Sequence, residues 1–156
     1  MRIFLHGLEG SSKGTKATFL RDLYPEMEIP DFAGSLSERM ASLHAILAGQ
    51  KNVILIGSSF GGLMATIFAM EFTDAVDRIV LLAPAVNFPE FTSYMTQPIE
   101  IPTWMIIGRE DTVTPSAKVA PMAKFFFANL HYVEVDDDHR LAKTFRDLDW
   151  RTLLSE

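Results

Sequence analysis

The chain has 156 residues, 48% of them hydrophobic, and a formal net charge of −6. That length suits one domain, burying about two-thirds of the surface its unfolded chain exposes, and the apolar content excludes a disordered chain. The acidic balance argues against binding a nucleic-acid backbone, and the lack of cysteine excludes disulfides, thiolate metal sites and a cysteine nucleophile.

The opening residues, Met1 to Gly7, carry no apolar signal-peptide region, so a cytoplasmic protein is expected. Apolar runs along the chain are too short to span a bilayer. Residues 3–6 predict a short buried strand that stops at Gly7-Leu8-Glu9-Gly10. Helical spacing of Phe19, Leu20 and Leu23 follows over residues 16–23 and ends before Pro25. Residues 27–32 predict a weaker strand. Pro30 within it cannot donate to a ladder, which puts it at a sheet edge. Ser35 and Glu38 form a capping-box pattern ahead of a helix with Leu36, Met40, Leu43 and Leu47 on one face.

The centre of the chain is Lys51-Asn52-Val53-Ile54-Leu55-Ile56-Gly57-Ser58-Ser59-Phe60-Gly61-Gly62. A β-branched apolar run stops at Gly57, and the residues after Gly62 predict a buried helix. Between them lies G-x-S-x-G, which places Ser59 at the tip of a strand-turn-helix elbow. Such an elbow strains the serine and crowds the residues two before and two after it, where only very small side chains fit. Ser59 has Gly57 and Gly61 at that spacing, whereas Ser58 has Ile56 and Phe60. Ser59 is therefore the candidate nucleophile; on its own the motif also fits an ordinary Gly/Ser turn.

Further strands are predicted at 78–83, 103–107 and 130–135. Thr114-Pro115 reads as an N-cap with proline at the first helical position, opening a helix to about residue 128. A last helix is expected over 141–154, with Leu141, Phe145, Leu148 and Leu153 as its apolar positions. Strands alternate with helices throughout, which calls for a three-layer α/β/α sandwich around about six parallel strands. Residues 86–100 lack periodicity and leave room for a short flap within this single domain of residues 1–156. Its Phe88, Phe91, Tyr94 and Met95 either wall an acyl pocket or roof the core.

Chemistry-bearing residues fall at strand ends. Ser59 is followed by Asp111 in Gly108-Arg109-Glu110-Asp111, then by His139 in Asp136-Asp137-Asp138-His139. Glu110 is the nearest alternative acid, and Asp111 also reads as a capping residue. His6 suits a structural hydrogen bond in its turn, His44 and His131 read as bystanders, and the Asp136–Asp138 run reads as loop, cap and solvated charge. Serine, acid and histidine in this order match the α/β-hydrolase triad.

On these residues, together with the opening strand that runs straight into His6-Gly7, the whole chain resembles an α/β-hydrolase reduced to little more than its core. It is most similar to the small bacterial esterases of the YqiA/YcfP type. The resemblance implies Ser59 as nucleophile, His139 as general base and then acid, and Asp111 as the carboxylate that orients the imidazole. It also implies an oxyanion hole from the Leu8 and Phe60 amides. Glycine commonly precedes the histidine in the family. Asp138 stands there in this chain, and aspartate tolerates left-handed backbone better than most residues.

The expected activity is serine hydrolysis, as a carboxylesterase on short-to-medium acyl esters. Thioester hydrolysis by the same triad is the nearest alternative, and a non-catalytic binding protein on the same fold is a reading from another class. The expected partner is a small acyl ester or thioester. No cofactor or metal is called for, and homo-oligomer formation stays open.

Overall fold

A computed structural model describes residues 1–155. Five parallel strands form one sheet in the order β1 (Arg2–Leu5), β2 (Val53–Ser58), β3 (Val76–Leu82), β4 (Thr103–Gly108) and β5 (Leu130–Val135). The helices are α1 (Thr15–Leu23), α2 (Leu36–Leu47), α3 (Phe60–Glu71), α4 (Ser116–Phe126) and α5 (Trp150–Leu153).

Both sheet faces are apolar, and the strand period of two distributes the side chains. Ile3, Leu5, Val53, Leu55, Ile79, Leu81, Met105 and Ile107 pack on one side with α2, α3 and α4. Phe4, Ile54, Ile56, Val80, Leu82 and Ile106 pack on the other with α1 and the C-terminal segment. Helix α3 is buried over Phe60 to Met70, so it lies inside the protein rather than on its surface. That burial explains its largely apolar sequence, within which the Thr66 hydroxyl donates back to the Gly62 carbonyl at 2.8 Å.

Three expectations change. The sixth strand shrinks to a single bridge between Ile3 and Glu28 on the outer edge of β1. Phe4 donates to the Glu28 carbonyl and Glu28 to that of Arg2, after which Pro30 has no N–H to extend the ladder. The last helix breaks into a 3₁₀ turn at Phe145–Asp147 and the short α5, although Leu141, Phe145 and Leu153 are buried as expected. Finally, α4 opens at Ser116 after Pro115, and the Thr114 side chain serves another purpose described below.

The capping box forms as the sequence implies. The Ser35 Oγ accepts from the Glu38 amide at 3.3 Å, and the Glu38 carboxylate accepts from the Ser35 amide at 2.7 Å. Ser35→Ala is expected to cost about 1 kcal/mol of stability, read as a lower urea midpoint with an unchanged denaturant slope.

Candidate active site

The site is built on the carboxyl ends of β1, β2, β4 and β5, with the loop after β3 beside them. Ser59 joins β2 to α3 with φ 53° and ψ −114°, a backbone region costly to any residue but glycine. Surrounding bonds hold it there. Its amide donates to the Leu82 carbonyl at 2.9 Å, and its own carbonyl accepts from Gly62, Leu63 and Ala85.

The flanking glycines are steric necessities. A Cβ on Gly57 would stand 2.4 Å from the Gly61 carbonyl oxygen, and one on Gly61 would stand 2.0 Å from that of Leu5. The close approach thus involves β1 as well as the two arms of the elbow. Gly61→Ala would drive α3 away from β1, and a loss above about 4 kcal/mol is expected. Chemical denaturation, or failure to recover folded protein, would show it.

His139 and Asp111 meet Ser59 from separate loops. The His139 Nε2 lies 3.0 Å from the Ser59 Oγ, and its Nδ1 lies 2.8 Å from the Asp111 Oδ2. The Asp111 side chain is fully buried, whereas that of His139 is 22% exposed. Oδ1 of Asp111 accepts from the Val113 and Thr114 amides, and Oδ2 also accepts from the Thr114 hydroxyl at 2.7 Å. Burial pushes the Asp111 carboxyl up, but these bonds and His139 outweigh it and hold it below the usual carboxylate range. An ionised Asp111 requires the His139 Nδ1 to be the donor, which leaves Nε2 free to accept the serine proton. Glu110, the rival acid, is exposed.

The Thr114 hydroxyl explains why this residue does not cap α4: it is turned toward Asp111. Its spacing of three from an acid in a loop is the only sequence signal for that role.

Sequence reasoning missed Asp137 altogether. Reading the Asp136–Asp138 run as loop, cap and solvated charge does not single it out, yet it is 1% exposed. Its Oδ1 accepts from the Asp138 amide, and its Oδ2 accepts from the Lys143 and Thr144 amides and the Thr144 hydroxyl, at 2.8–2.9 Å. Its carbonyl accepts from the Glu110 amide at 3.0 Å. One residue therefore ties the His139 loop to itself and to the loop of Asp111. Lys16 from α1 adds a hydrogen bond to the Arg140 carbonyl. Asp138 does not adopt left-handed backbone; the loop places that conformation at Leu141, φ 53°, whose buried side chain anchors it.

Burial also pushes the Asp137 carboxyl up, and the hydrogen bonds again prevail and hold it low. A depressed carboxyl stabilises the fold fully above its unfolded value of about 3.9, and that contribution is lost as pH falls through the folded value. Asp137→Asn places an amide donor against amide donors, with an expected cost of about 1–3 kcal/mol at pH 7. In urea titrations the gap to the parent should close below about pH 4.

His6 takes the structural place expected of it. Its Nδ1 lies 2.7 Å from the Gly7 carbonyl and its Nε2 accepts from the Phe32 amide at 2.9 Å, a pairing that assigns the proton to Nδ1. It shapes the turn that brings Gly7 against Ser59, where an added Cβ would be 3.4 Å from the serine Cβ. Leu8 follows in this loop and Phe60 opens α3. Among the described residues neither amide donates to a protein acceptor.

Of the flap residues, Phe88 and Phe91 are half-buried and reach the site through Phe60: the Phe60 and Phe91 rings lie 5.7 Å apart, and Phe91 and Phe88 6.2 Å. Met95 is buried in the core, and Tyr94 is 41% exposed. The flap carries one short 3₁₀ helix, Pro89–Tyr94. His44 pairs with Glu71 on the α2–α3 surface and His131 stacks on Trp104, both away from the site. Among the described residues no three His, Asp or Glu side chains cluster as metal ligands would, and no helix is long and apolar enough to cross a membrane.

With this geometry in hand, the comparisons with known proteins agree on the class. Residues 7–95 match the family described as alpha/beta hydrolase fold. The chain belongs to the α/β-hydrolase family. It is 29% identical over 109 residues to the (lyso)-N-acylphosphatidylethanolamine lipase of Bos taurus, an alignment covering 67% of this chain and 30% of that protein. The chain thus spans under a third of this relative's length. Among solved structures it superposes on mouse alpha/beta hydrolase domain-containing protein 10 with a TM-score of 0.79 at 17% identity, covering 94% of this chain and 85% of that one. The monoacylglycerol lipase of Paleococcus ferrophilus gives 0.77 at 14% identity, covering 97% and 93%. At such identities these two structures show the fold alone.

Proposed function

We propose that the protein is a serine esterase that cleaves short-to-medium acyl esters through an acyl-enzyme on Ser59. The observation that carries this reading is the continuous chain of hydrogen bonds from Asp111 through His139 to the Ser59 Oγ. Lipase naming of the bovine relative favours an acyl ester as the substrate class.

The chemistry follows from the atoms. A serine hydroxyl becomes a competent nucleophile when a neighbouring base removes its proton. The His139 Nε2 takes that proton as Oγ adds to the ester carbonyl, and the Asp111 carboxylate stabilises the imidazolium that forms. Negative charge on the former carbonyl oxygen falls to the Leu8 and Phe60 amides, the second of which also lies at the positive end of α3. The tetrahedral species collapses as His139 returns the proton to the departing alcohol. Water then repeats the sequence on the acyl-enzyme and releases the acid.

Phe88 and Phe91 form the acyl wall in this reading, with Met95 supporting it from the core. So small a flap leaves the site open, and modest discrimination among acyl chains follows; in this reading the chain belongs with the small esterases of the YqiA/YcfP type that it resembles.

Hydrolysis of p-nitrophenyl esters of graded acyl length tests the reading. Ser59→Ala is expected to lose roughly 10³-fold or more in kcat, and a fluorophosphonate probe should label the parent at Ser59 and leave the variant unlabelled. Faster turnover of matched thioesters would move the assignment to a thioesterase. An unlabelled parent that is inactive on both series would sink the hydrolase reading and favour a binding protein.

A further inference from the structure

One charged side chain near the site has no role in the mechanism above. Arg39, in the second turn of α2, is 5% exposed. Its Nε donates to the Gly34 carbonyl at 3.1 Å, while its Nη1 is buried with no hydrogen-bond partner. No carboxylate lies within ion-pair distance of it among the described residues. The guanidinium stays protonated at any physiological pH, so the fold holds a mostly buried cation with no carboxylate partner. That is an expensive arrangement for a purely structural residue.

Its location gives the cation a use. The Arg39 guanidinium lies over the Phe60 ring, 5.4 Å from the centroid. Phe60 follows Ser59 directly, supplies one of the two proposed oxyanion amides, and meets the flap through Phe91. Arg39 therefore packs on the side chain that follows Ser59, on the side of the flap and the 31–35 loop. The protein as a whole carries a net charge of −6, which disfavours encounter with anions at long range. A single buried arginine supplies the opposite preference locally, with a planar fork suited to carboxylate or phosphate.

We propose that Arg39 is a specificity residue that binds an anionic group, carboxylate or phosphate, on the substrate away from the scissile ester. This rests on the esterase reading. Two matched substrate pairs test it. Mono-p-nitrophenyl glutarate against p-nitrophenyl valerate places the anion on the acyl side, and monobutyryl glycerol phosphate against monobutyryl glycerol places it on the alcohol side. The parent should prefer the anionic member of one pair, and that pair identifies the side. Arg39→Met should raise KM for that member roughly 10- to 100-fold and leave its neutral counterpart unchanged. Arg39→Lys should restore part of the preference.

No anionic preference by the parent in either pair overturns the proposal, whatever the variants do. Equal losses on neutral and anionic esters in Arg39→Met also overturn it, and leave Arg39 as packing for Phe60. If neither pair is hydrolysed and Ser59 takes no fluorophosphonate, the esterase reading fails by itself. Arg39 is then judged by melting temperature: glutarate or inorganic phosphate should raise that of the parent and not that of Arg39→Met, and no rise in the parent overturns the proposal.

Discussion

The structure depends on the contact between the Ser59 elbow and the start of β1. Helix α3 enters the core so close to the sheet that Gly61 leaves no room for a methyl group beside the Leu5 carbonyl. That approach goes with the positive φ of Ser59 at the entry to α3. It also presses the His6-Gly7-Leu8 turn against the serine. One steric constraint thus brings the proposed nucleophile beside the turn and helix start that carry both proposed oxyanion donors. The cost of the strained backbone, of order 1–3 kcal/mol, is met by four backbone hydrogen bonds and a helix buried from Phe60 to Met70.

The other half of the site is polar where the first half is steric. Two loops, from the ends of β4 and β5, have to present Asp111 and His139 to each other within hydrogen-bond distance. Each is organised around a buried carboxylate saturated by donors from its own loop, Asp111 by Val113 and Thr114, and Asp137 by Asp138, Lys143 and Thr144. Full satisfaction matters because a partly paired buried carboxylate would cost more than it contributes. The bond from the Glu110 amide to the Asp137 carbonyl joins the two loops.

Economy of chain shapes the remainder. The sheet stops at β1 with one bridge to Glu28, and the flap is a single 3₁₀ helix on ring contacts. Few groups are left over to shape specificity, which gives weight to a buried arginine beside Phe60. Of the four described non-glycine residues at positive φ, Ser59, Ala83 and Leu141 lie in the segments that assemble the site, and Asn52 lies ahead of β2.

What the sequence determined by itself was whatever local pattern dictates. Apolar runs of strand and helix length, broken by glycine and proline, specify the alternating layers. The spacing of Gly57, Ser59 and Gly61 specifies the elbow, because the clash of a Gly57 side chain with Gly61 acts within five residues, whereas the approach of Gly61 to Leu5 is tertiary. The order of Ser59, Asp111 and His139 at strand ends was legible for the same reason: parallel topology sends those ends to one side of the sheet. Tertiary structure alone decided which acids are buried. Asp136, Asp137 and Asp138 are chemically identical in a string, and only the return of the chain at Lys143 and Thr144 singles out the middle one. It likewise turned Thr114 from a cap into a partner of Asp111, reduced the strand around Pro30 to one bridge, and broke the final helix around Phe145 and Trp150. It also left Arg39 without a counter-ion. Each depends on what lies opposite in space, and local periodicity carries no record of that.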